Sequence, residues 1–202
     1  MTMTRTRSKP SAKREAILDA AQRLFLVEGY AATSMDAVAA GAEVSKATIY
    51  AHFEGKDQLF AAIMHRRCEA SFAFASPDES FDAERTFTTY AERLLGLLMT
   101  PDAMALYRVV VAESARTPEL AQAFYETGPI RGKAAIAASV ACLQARGELA
   151  TDIDPLVIAD QFIGMLRAET YHRALLGLPE GRSVAKTIAA AVQTLMRAYG
   201  KR

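Results

Sequence analysis

Residues 33–59 read TSMDAVAAGAEVSKATIYAHFEGKDQL. Thr33 is a capping residue with Asp36 three positions on, the pattern of a capping box at a helix start. Val38 and Ala39 then fall on an inner face. Ala42-Glu43-Val44 makes a short turn, and Ser45 caps a second short helix that runs through Phe53. Two short helices joined by three or four residues have helix-turn-helix spacing. Lys46 and Lys56 both open helices, where the macrodipole disfavours a cation. Phosphate oxygens would reward both placements. Ser45, Thr48, Tyr50 and His52 add hydrogen-bond donors to the same segment.

Outward from this core, Ile17, Leu18, Ala21, Leu24 and Phe25 share one face of a helix over residues 11–28, ended by Gly29. Ahead of it, Arg5, Arg7, Lys9, Lys13 and Arg14 precede any acid. Residues 1–67 carry 10 basic and 7 acidic side chains, whereas residues 68–202 carry 14 and 16. A basic arm beside an acidic body suits a polyanion at one end. A solvated tail has the same composition, so charge alone does not choose.

Residues 11–67 resemble the DNA-binding domain of the TetR family of regulators. The resemblance runs through Ala20-Ala21, Leu24-Phe25, Gly29-Tyr30, Thr33-Ser34, Val38-Ala39, Val44-Ser45-Lys46-Ala47-Thr48-Ile49-Tyr50, His52-Phe53 and Lys56-Asp57-Gln58-Leu59. It implies phosphate contacts from Thr33 and Ser34, base edges read by Lys46, Ala47 and Thr48 with Ser45 at the rim, and backbone clamping by Tyr50, His52 and Lys56. Arg5 and Arg7 would reach a minor groove, as basic arms do elsewhere. For Tyr50, packing on the first helix is the alternative. One departure stands out: the family usually reads Ala-Gly-Val in the turn, where this chain has Glu43. A left-handed glutamate there costs something like 1 kcal/mol.

The remaining sequence is helical throughout. Thr100-Pro101, Thr117-Pro118 and Asp154-Pro155 each place a capping residue before proline at a helix start. Gly128-Pro129 interrupts or kinks the helix from Thr117, Gly177 and Pro179 close the helix from Pro155, and a last helix covers about 183–199. The fold expected is all-α with about nine helices: an arm (1–10), a helix-turn-helix domain (11–67) and a sensing and dimerisation domain (68–202). Tyr107-Arg108-Val109-Val110, Arg146-Gly147-Glu148-Leu149 and Ala159-Asp160-Gln161-Phe162 are similar to the AefR-like subgroup. That similarity implies an enclosed small-molecule pocket and a homodimer formed by the last two helices. Met99, Met104, Tyr107, Phe124, Tyr125, Phe162, Met165 and His172 are the pocket candidates, mostly apolar, aromatic or polarizable. They favour an apolar or aromatic effector.

Together these features point to a ligand-responsive repressor that binds a palindromic double-stranded operator as a dimer. A ligand-independent DNA-bound interaction protein of the same fold is the alternative. Other chemistry has less support. Glu169-x-x-His172 is a single i, i+3 pair, whereas a di-iron site needs two such motifs and further carboxylates. No metal, cofactor or catalytic constellation is expected. Cys68 and Cys142 form no disulfide framework, which suits a reducing cytoplasm. A redox switch between them is a minor alternative. No apolar run is long enough for a membrane span, and Lys13, Arg14 and Glu15 stand where a leader would be apolar.

Overall fold

The computed structural model describes residues 9–72 and 80–201, with side chains in 12–67 and 80–201. Its helices are α1 (Lys9–Val27), α2 (Met35–Gly41), α3 (Lys46–His52), α4 (Lys56–Phe72), α5 (Ala83–Leu98), α6 (Pro101–Glu113), α7 (Pro118–Tyr125), α8 (Arg131–Ala145), α9 (Pro155–Leu166), α10 (Glu169–Leu175) and α11 (Val184–Tyr199). A π-helical segment, Glu126–Ile130, joins α7 to α8. Counting that joined path once gives ten helices among the described residues. All three capping-residue–proline pairs begin helices, at Pro101, Pro118 and Pro155. Proline lacks the N–H that a first-turn residue would leave unused. Pro129 lies inside the π segment, so the expected interruption takes the form of one widened turn.

The helix expected to run from Pro155 to Gly177 is two helices, broken at Arg167–Ala168. No glycine or proline marks the break. Thr170 instead bonds the Arg182 carbonyl at 3.2 Å and the Thr187 hydroxyl at 2.5 Å, which ties α10 to the start of α11. Among the described residues, no single helix is long and apolar enough to cross a membrane.

Packing divides the chain into two units. The first holds the described residues up to Arg66 together with Ala105–Tyr125. Its core joins Ile17, Leu18, Ala21 and Phe25 of α1 to Val38 and Ala39 of α2, Ile49 of α3 and Leu59, Phe60 and Ile63 of α4. Leu106, Val110 and Leu120 complete it. Phe25, Tyr30 and Phe60 form a ring cluster with centroids 5.2–6.2 Å apart, within the range of favourable aromatic pairs. Arg66 reaches back to α1, donating to Glu15 at 3.0 Å, Asp19 at 2.8 Å and Gln22 at 3.3 Å.

Tyr30 donates its hydroxyl to Asp57. Burial, reinforced by that bond and by the Asp57 charge, pushes the phenol well above the ordinary 10.0. Its stabilising effect is therefore complete below pH 10 and is lost as pH rises beyond it. Tyr30→Phe should cost about 1 kcal/mol at pH 7 through the lost hydrogen bond. Urea melts should show this gap narrowing above pH 10, where only the wild type loses the Tyr30 contribution. A gap independent of pH would refute the assignment.

The second unit holds Arg67–Met104 and the described residues from Glu126 onward. α5 lays Phe87, Tyr90, Ala91, Leu94 and Leu95 against Ile136, Val140 and Leu143 of α8, Ile158 and Phe162 of α9 and Ile188, Val192 and Leu195 of α11. The turn after α8 acts as a clasp. Arg146 donates to the Phe81 carbonyl at 2.8 Å, and Glu148 accepts from the Ala83 N–H at 2.7 Å. The backbone of Glu148 and Ala150 pairs with Tyr199 and Lys201 at the end of α11. Gly147 supplies the positive φ (78°) that this reversal requires.

Candidate nucleic-acid interface

The recognition segment is built on two serine caps. Ser45 caps α3, its side chain accepting from the Thr48 N–H at 3.1 Å, and its Oγ lies 2.8 Å from Thr48 Oγ1. The cap of α2 corrects the sequence expectation. Ser34, not Thr33, accepts the hydrogen bond, from the Ala37 N–H at 3.1 Å. Asp36 therefore stands at the second helical position, where no capping box forms. Thr33 is 1% exposed and donates its hydroxyl to the Gly29 carbonyl at 2.8 Å. The Thr33 hydroxyl is thus buried and committed, whereas the Ser34 side chain is exposed.

Ile49 and Phe53 are buried and seat α3 on the core of the first unit. This leaves Ser45, Lys46, Ala47 and Tyr50 exposed, with Thr48 and His52 partly so. Tyr50 is 53% exposed, which disfavours the alternative of packing on α1. The two dipole-opposed lysines both have local partners that the sequence did not reveal. Lys46 Nζ lies 2.5 Å from the Asp36 carboxylate, whose hydrogen bond and charge raise the lysine above its usual range. Lys56 Nζ donates to the carbonyls of Tyr30 at 2.9 Å and Ala31 at 3.1 Å and lies 4.8 Å from the Tyr30 ring centre. Both cations thus compensate for their helix positions within the chain. An exposed ion pair such as Lys46–Asp36 is weak and can be exchanged for a phosphate or base. The pairing of Asp36 with Lys46, rather than its expected place in a capping box, is what the sequence did not reveal, because the two lie ten positions apart on different helices. Arg5 and Arg7 lie outside the described residues.

Comparison with known proteins places this geometry. Residues 17–63 match the bacterial regulatory proteins of the tetR family, and residues 85–201 match the C-terminal domain of AefR-like transcriptional repressors. The chain belongs to the TetR family. The transcriptional regulator UidR of Escherichia coli K12 is 30% identical over 154 residues, 74% of each chain. The repressor BepR of Brucella suis is 39% identical over 64 residues, a match that spans only 31% of BepR. The solved structure of the flavonoid-responsive regulator FrrA superposes with a TM-score of 0.80 at 33% identity, covering 94% of this chain and 98% of that one.

Glu43 is where this TetR-family chain departs in its turn. Its φ is 54°, the only positive value at a non-glycine residue among the described residues. Glu43→Gly should relieve left-handed strain of about 1–2 kcal/mol, offset in part by glycine's greater unfolded-state entropy. A net gain of about 0.5–1 kcal/mol in chemical denaturation is expected. Glu43→Ala, which keeps the Cβ, should not reproduce it. Equal effects of the two variants would show that side-chain charge, not backbone strain, dominates.

The effector candidates of this TetR-family chain divide between the units. In the first, Tyr107 and Phe124 pair with centroids 5.5 Å apart, while Tyr125 is exposed. In the second, Phe162 and Met104 are buried, and Phe162 meets Phe87 edge-on at 5.1 Å. Met99 and Met165 border the same core, whereas His172 is exposed. Glu169 is exposed as well, and no three metal-binding side chains converge among the described residues. Cys142 is exposed; the side chain of Cys68 lies outside the described residues.

Proposed function

We propose that the protein is a cytoplasmic homodimeric repressor that binds a palindromic double-stranded DNA operator and is released by a small aromatic or apolar effector. The observation that carries this reading is the α3 surface. Ser45, Lys46, Ala47 and Tyr50 stand exposed over a helix whose other face is anchored by Ile49 and Phe53. Such a helix offers its N-terminal side chains to the major groove, with flanking groups on the backbone. Lys46, Ala47 and Thr48 face base edges with Ser45 at the rim, Ser34, Tyr50, His52 and Lys56 supply the flanking groups, and Arg5 and Arg7 extend the contact into the minor groove.

Dimerisation is expected through the last two helices; because the first of these is split into α9 and α10, the faces offered are those of α9 and α11. Leu156 and Val157 on α9 and Ala189, Ala190 and Ala198 on α11 leave small or apolar side chains exposed for a symmetry mate. Two recognition helices would then lie about 34 Å apart, one turn of DNA. The flavonoid response in FrrA's name supports an aromatic effector, in keeping with the methionines and aromatic rings among the pocket candidates. Effector binding would displace α4 and change the half-site spacing. A coupling of about 1–3 kcal/mol gives roughly 5- to 150-fold release.

The test is selection of the purified protein on random duplexes, followed by anisotropy titration of the enriched site at several salt concentrations. A two-fold symmetric site bound by a dimer is expected. Salt-sensitive binding with no enriched sequence would overturn the operator reading and favour a ligand-independent DNA-bound interaction protein.

A further inference from the structure

Five threonine and serine side chains are buried among the described residues: Thr33, Thr86, Ser139, Thr170 and Thr187. Four have hydrogen-bond partners. Thr33 donates to Gly29, Thr170 and Thr187 bond each other, and Ser139 lies 2.6 Å from the Tyr90 hydroxyl while donating to the Ala135 carbonyl. Thr86 is the exception: it is 4% exposed, and its Oγ1 has no partner among the described residues. Its neighbours on α5 show that the helix offers an easy solution. Thr88 and Thr89 each donate to the carbonyl four residues back, at 2.8 Å. Thr86 does not; the Asp82 carbonyl in the equivalent place accepts only the Thr86 backbone N–H.

A buried hydroxyl without a partner is rare and calls for a cause. Thr86 and Tyr90 are four residues apart on one helix and both face the second unit's core, so they are neighbours on one stripe. Beside them the core is apolar: Phe87, next to Thr86 on α5, meets Phe162 of α9 edge-on, with centroids 5.1 Å apart. We propose that Thr86, together with the Tyr90–Ser139 pair, is the polar seat for a hydroxyl or carbonyl group on an aromatic effector held in this core. The inference rests on the effector reading above and adds to it the chemical class recognised and the residues that recognise it. An effector lacking that group would leave Thr86 unsatisfied and bind more weakly, whereas one that carries it would complete the hydrogen bond that Thr86 lacks.

The probes are 2-naphthol and naphthalene, which share a ring system and differ by one hydroxyl. Binding to the full-length protein is measured by calorimetry, with thermal melting as a second readout. The wild type should bind 2-naphthol at least tenfold more tightly. Thr86→Val, which keeps the shape and removes the hydroxyl, should abolish the preference, and Thr86→Ser should retain it. Without ligand, Thr86→Val should melt no lower than the wild type, because it deletes an unsatisfied polar group. A valine variant that melts several degrees lower would overturn the proposal, since the hydroxyl would then be satisfied within the protein. So would a preference that survives Thr86→Val, equal wild-type affinity for the two probes, or no wild-type binding of either. None of these results touches the effector reading itself, which fails only if no ligand of any class weakens operator binding.

Discussion

Tyr50→Ala is expected to weaken operator binding by about 1–3 kcal/mol per half-site, roughly 5- to 150-fold each, through the lost hydrogen bond to a backbone phosphate. A dimer makes the contact twice, so the loss for the whole operator approaches the square of that factor where the half-sites act independently. The melting temperature should change little. The ring is 53% exposed, and substitutions at such positions usually stay within about 0.5 kcal/mol. This contrast between binding and stability is the informative part. Anisotropy titration and a thermal melt on the same preparation measure both. Unchanged affinity would remove Tyr50 from the interface, whereas a large stability loss would make it a packing residue after all.

Phe25→Ala should have the opposite signature. Phe25 is fully buried and touches both Tyr30 and Phe60 in the ring cluster that joins α1 to α4. Truncating such a side chain costs about 3–5 kcal/mol, a large fraction of a domain's typical margin of about 5–15 kcal/mol. Denaturant unfolding should show the first unit failing at lower urea, with operator binding lost because α3 no longer has a fixed seat. Ile49, also fully buried, makes the same point from the recognition helix itself. A Phe25→Ala loss below about 1 kcal/mol would mean that the cluster collapses onto the vacated space, contrary to the tight packing typical of protein interiors.

Much of the recognition segment was legible because its signals are local. A cap acts within three residues, a proline start within one, and an amphipathic stripe within two turns. Ser45 follows from such short-range physics, as do the later helix starts at Pro101, Pro118 and Pro155 outside that segment. Choosing between Thr33 and Ser34 as the cap of α2 did not. Both are good capping residues, and the choice was made by burial. Thr33 is drawn beneath the turn onto the Gly29 carbonyl, which leaves Ser34 in position. The lysines at the starts of α3 and α4 were legible as anomalies but not in their resolution. Asp36 and the carbonyls of Tyr30 and Ala31 reach them from 10 to 26 positions away.

An all-α chain and the place and spacing of the helix-turn-helix were legible in periodicity, caps and turn residues, whose effects extend only a few positions along the chain. The regulator family and the departure at Glu43 were legible only through the resemblance of residues 11–67 to TetR-family sequences. Which apolar stripes meet was set by packing between distant parts of the chain. It assigned Leu106, Val110 and Leu120 to the core of the first unit, divided the effector candidates between two units, broke the helix after Leu166 without a breaker residue and left the Thr86 hydroxyl unpartnered. The physical reason is that hydrophobic burial is non-directional. An apolar stripe states that a face will be covered, but the partner that covers it is set by the packing of the whole chain.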